Sequence, residues 1–153
     1  MAFIYKEMTE KDKEFFKSFG FKDPLSSCSM AIIPSHCVVN EKESIYLFCL
    51  GGQGHRFDRE FPPTYFYLIY DEQPIKIETY RKGTGDKIKG RKIIWKIDRI
   101  VAPNTLKIEV NFLLNIVREV IETYERGIGK YILSIEFEKV ANPRFVDGDV
   151  ENG

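Results

Sequence analysis

Histidine, cysteine and net charge are all scarce in this chain of 153 residues. Its two histidines are His36 and His55, and its three cysteines are Cys28, Cys37 and Cys49. A Cys–His or Ser–His catalytic pair must therefore use one of only two imidazoles. No Gly-x-Ser-x-Gly elbow presents a serine for attack. No CxxC or HxxxH spacing pairs two metal ligands locally, and His36 and Cys37, as neighbours, point to opposite faces of a strand. The expectation is no metal, no cofactor and buried free thiols in a reducing cytoplasm. Lysine plus arginine number 23, as do aspartate plus glutamate, so the formal net charge is zero. Overall charge then draws the chain to neither nucleic acid nor an anionic membrane. No apolar run approaches the ~20 residues that span a bilayer. The start, Met1-Ala2-Phe3-Ile4-Tyr5-Lys6-Glu7, lacks the basic-then-apolar pattern of an export signal.

Apolar and aromatic residues are abundant. The hydrophobic fraction is 43% and the aromatic fraction 14%, with 12 Phe and 8 Tyr, which is too apolar for a disordered chain. The pattern predicts one α+β domain over residues 1–140 and a flexible acidic tail over 141–153. A short helix is expected at 9–19, with Thr9 and Asp12 spaced as a capping box and Phe15, Phe16 and Phe19 as its apolar stripe. Strands are expected at 28–33, 36–39 and 44–50. A three-stranded antiparallel meander over 64–101 buries Ile75, Ile77, Ile93, Trp95 and Ile97 on one face. A long helix at about 105–126 places Leu106, Val110, Leu113, Val117, Val120, Ile121 and Tyr124 at three- and four-residue spacing. Glu122 and Glu125 are assigned to its polar face, and Gly127 to its end. In a last strand at 130–138, Tyr131, Leu133, Ile135 and Phe137 are expected inward. The sum is a mainly antiparallel sheet of about five to seven strands, with both helices on one face.

Three regions could carry chemistry. The segment 51–63 has three glycines and places Gln53, His55, Arg56, Asp58, Arg59 and Glu60 close together. Bare backbone and two guanidiniums suit an anion, although the Lys-Ser/Thr of a phosphate-binding loop is missing. The strand 64–70 carries Tyr65 and Tyr67, which with Tyr80 form a candidate partner surface. The hairpin 81–99 is basic and could follow phosphates, with Glu78 expected to pair with Lys92 or Lys96. Without a catalytic constellation, the sequence favours a small non-enzymatic interaction module of inhibitor, immunity or adaptor type, with a protein partner or self-association. An anion-binding protein or enzyme using the 51–63 loop is the alternative, and a weak nucleic-acid binder is the second.

Overall fold

The computed structural model describes residues 2–18, 36–40, 42, 45–50, 63–86, 89–103, 108–129, 131–138 and 144–147. Its strands are β1 (Ile4–Glu7), β2 (His36–Asn40), β3 (Ile45–Leu50), β4 (Pro63–Tyr70), β5 (Gln73–Asp86), β6 (Gly90–Ala102), β7 (Ile132–Phe137) and β8 (Arg144–Asp147). Its helices are α1 (Glu10–Ser18) and α2 (Val110–Ile128). The fold is α+β, with one eight-stranded, mainly antiparallel sheet. The strands run β1 to β7 in chain order, and β8 also pairs with β6. The strand expected at 28–33 lies outside the described residues.

The expected meander is present as β4, β5 and β6. Its first turn contains only Asp71 and Glu72, both with positive φ, at 49° and 59°. Positive φ at both central residues matches the twist of a two-residue hairpin, but side chains other than Gly and Asn adopt it reluctantly. The second hairpin is longer than expected, because β5 continues through the Gly83-Thr84-Gly85 segment to Asp86. Between these turns, Asp98 is an extra residue: Glu78 faces Arg99 while Thr79 faces Ile97. This bulge resets the alternation, so that Ile97 and Ile100 are both buried.

Two strands depart from the antiparallel pattern. Both β7 and β8 pair with β6 in parallel. Parallel neighbours need a crossover, and α2 supplies it between β6 and β7. Arg144–Asp147, expected within a tail, instead extends the sheet. The short β1 was not foreseen; four residues are too few for periodicity to register.

The helices occupy opposite faces of the sheet, not one. Tyr5 lies edge-on to Tyr124 of α2, whereas the next residue, Lys6, is ion-paired at 2.9 Å with Asp12 of α1. Consecutive strand residues point to opposite faces, so the two contacts assign the two helices. Beneath α2 lies the main core, where Val38, Phe66, Leu68, Ile75, Ile77, Ile93, Trp95 and Ile97 meet Leu113, Ile116, Val117, Val120 and Ile121. The other face buries Cys37, Val39, Ile69 and Val101. There too, Arg99 holds Glu78 with two hydrogen bonds, at 2.8 and 2.7 Å. Glu78 therefore pairs with Arg99, its register partner, rather than with Lys92 or Lys96.

Helix α1 begins as its spacing predicts. The Asp12 N–H donates to Thr9 Oγ1 at 3.1 Å, and the Thr9 N–H donates to Asp12 Oδ2 at 2.9 Å. Helix α2 starts at Val110, later than expected, because Glu109 is extended with φ −67° and ψ 134°. It also runs past Gly127, whose missing side chain makes room for the Tyr5 ring, and its cap is Gly129.

Two outcomes test this local chemistry. Replacing Glu72→Gly should relieve left-handed strain and raise unfolding stability by about 0.5–1 kcal/mol in a denaturant titration. For Asp12, burial pushes the carboxyl up, but hydrogen bonds from Lys6 and Thr9 outweigh it and hold it below its ordinary 3.8. A depressed folded value means that the stabilisation is complete at neutral pH and is lost as pH falls through that value. Asp12→Ala should thus cost about 1 kcal/mol at pH 7, shrinking towards zero in titrations at progressively lower pH, below about 4.

Candidate functional site

The most polar feature of the core is at the C-terminal end of α2. Glu125 has no exposed surface. Its Oε2 accepts from Arg81 Nη2 at 2.9 Å, and its Oε1 accepts from Arg81 Nε and, at 3.1 Å, from Trp95 Nε1. The Arg81 guanidinium also lies 5.9 Å above the Trp95 ring. Glu125 was expected on the polar face of the helix. It lies four residues beyond Ile121 and eight beyond Val117, so helical spacing returns it to the buried stripe. Arg81 lies on the same inward row of β5 as Ile75, Ile77 and Thr79, directly opposite Trp95. Those two spacings are the signal in the sequence that places both charged groups inward.

Rings continue from this cluster across the sheet. Trp95 packs on Phe66 at 5.0 Å, and Phe66 and Tyr124 meet edge-on at 6.1 Å. Tyr124 meets Tyr5, and Tyr5 stacks on His36 at 4.8 Å. His36 is therefore held by ring packing. Cys37 beside it is fully buried. Burial and the Asp12 carboxylate push its thiol up to about 11 against the opposing pull of Lys6, so it stays protonated at neutral pH. Among the described residues, no three His, Cys, Asp or Glu side chains gather as metal ligands.

The anion-site residues Gln53, His55, Arg56, Asp58, Arg59 and Glu60 lie outside the described residues, as does Cys28. Cys49 is in β3 in register with Phe66, and Tyr65 is in β4 in register with Glu78. Tyr67 and Tyr80 are half-buried. They share the face away from α2 but stand opposite Lys76 and Pro63, about 13 Å apart along the strands, so they do not adjoin. Of the basic hairpin residues, Arg81 and Arg99 are committed to Glu125 and Glu78. Lys92 lies 3.7 Å from Glu136.

Beside α2 is an open groove of about 470 Å³, lined by Ala2, Phe3, Glu119, Glu122, Thr123 and Arg126. Its Thr123 hydroxyl donates to the Glu119 carbonyl at 2.8 Å, and Arg126 lies 3.9 Å from Glu122. These groups satisfy one another within a single helix and do not converge on the groove.

A different surface emerges at β7, the last strand beside β6 in the sheet formed by the described residues. Leu133 and Tyr131, expected inward, are 68% and 60% exposed, the largest values among the big apolar side chains described. The reason is a bulge: Arg91 faces Ile132 but Lys92 faces Ser134, leaving Leu133 as the extra residue. Leu133 then lies across Gly90, where φ is +122° and any Cβ would collide with it. The Glu138 N–H donates to the Trp95 carbonyl at 2.7 Å. By alternation, Ser134 and Glu136 turn their backbone groups to β6, while Ile135 and Phe137 turn theirs to the other side, where no strand pairs with β7 among the described residues. No helix among the described residues is long and apolar enough to cross a membrane. Comparisons with protein-family models, curated proteins and solved structures found no match to this chain.

The buried cluster yields a direct test. Glu125→Ala should cost about 2–4 kcal/mol in chemical denaturation, because Arg81 and the Trp95 N–H lose their acceptor. The double replacement Glu125→Leu with Arg81→Met should recover most of that loss.

Proposed function

We infer that this protein is a small non-enzymatic interaction module that recognises a protein partner by adding a strand to the open edge of β7. The observation carrying this reading is the coincidence, at one edge, of two strongly exposed apolar side chains with outward backbone donors and acceptors. Edge strands are commonly guarded by proline, charged side chains, bulges or a covering element. The span Ile132–Phe137 contains neither proline nor lysine, and its guards are the bulge at Leu133 and the single Glu136 carboxylate. An incoming strand would gain main-chain hydrogen bonds there, and Leu133 and Tyr131 would lose exposed apolar surface. The pairing of Arg81 and Arg99 within the chain favours a protein partner over nucleic acid. A protonated, buried Cys37 fits a reducing cytoplasm, where the module would act as an inhibitor, immunity or adaptor protein.

Hydrogen exchange read residue by residue tests the reading. In dilute protein at a few micromolar, the Ile135 and Phe137 amides should exchange within minutes, while those of Ser134 and Glu136, bonded to β6, should be slower by about 100-fold or more. Equal protection on both sides of the strand would mean that the edge is already covered, and the reading would fail.

A further inference from the structure

We draw no further inference here: the strongest candidate, the lysine-bearing sheet face formed by Lys82, Lys92 and Lys96 of β5 and β6 on the side away from α2, carries nothing, because Glu136 of β7 lies 3.7 Å from Lys92 on that same face and nothing in the structure shows what covers the rest of it.

Discussion

A carboxylate sealed under the last turns of α2 fixes how the helix and sheet meet. Alone, Glu125 would be unfavourable twice over: it is a charge removed from water, and it sits near the negative end of the helix dipole. The Arg81 guanidinium and Trp95 indole remove both objections, but only if β5, β6 and α2 hold one relative position. Apolar side chains under a helix can slide by a turn and still be buried. A bidentate ion pair with an indole donor cannot, so Glu125 selects one register from several that burial alone would allow.

The rest of the architecture follows from that anchoring. Because α2 lies along β6 and ends at the Glu125 cluster, the chain emerges at the Gly90 end of β6 and runs parallel to it as β7. Arg126 secures this return with a hydrogen bond to the Ile132 carbonyl at 3.2 Å. The bulge at Leu133 arises where the chain leaves the helix and must fall into step with β6. The exposed apolar side chains at the edge are thus a consequence of the crossover. On the opposite face, the Thr9–Asp12 cap, the Lys6 bridge and the buried Cys37 join α1 to β1 and β2 by local interactions.

Much of this was legible in the residues. The meander shows itself by alternation, the α1 cap by its Thr-x-x-Asp spacing, and the core of α2 by its apolar period. What escaped was governed by single-residue events. The extra Asp98 and Leu133 each shift an alternation by one, and nothing in their side chains announces a bulge. Glu125 is polar by type but inward by helical spacing, and spacing prevails because Arg81 and Trp95 satisfy its carboxylate. The parallel direction of β7 depends on a crossover geometry that periodicity does not encode, and β8 is a short strand read as tail. For the candidate site, the β7 residues Tyr131, Leu133 and Phe137 were recognised as apolar, but their orientation depends on the bulge. For the tyrosine surface, the register puts Tyr67 and Tyr80 on one face of the sheet, with the Tyr65 position between them along β4.

The joint between helix and sheet turns on the Glu125 carboxylate holding the indole of Trp95, the only tryptophan in the chain. Its indole N–H gives one unambiguous signal in a proton–nitrogen NMR spectrum. Exchange of that proton with deuterium, followed as a function of denaturant, is the direct measurement. If the cluster anchors helix to sheet, the indole proton exchanges only through global unfolding, with the same denaturant dependence as the slowest core amides. Exchange within minutes in native buffer, independent of denaturant, would show that the indole opens locally and that the buried carboxylate does not hold the fold together.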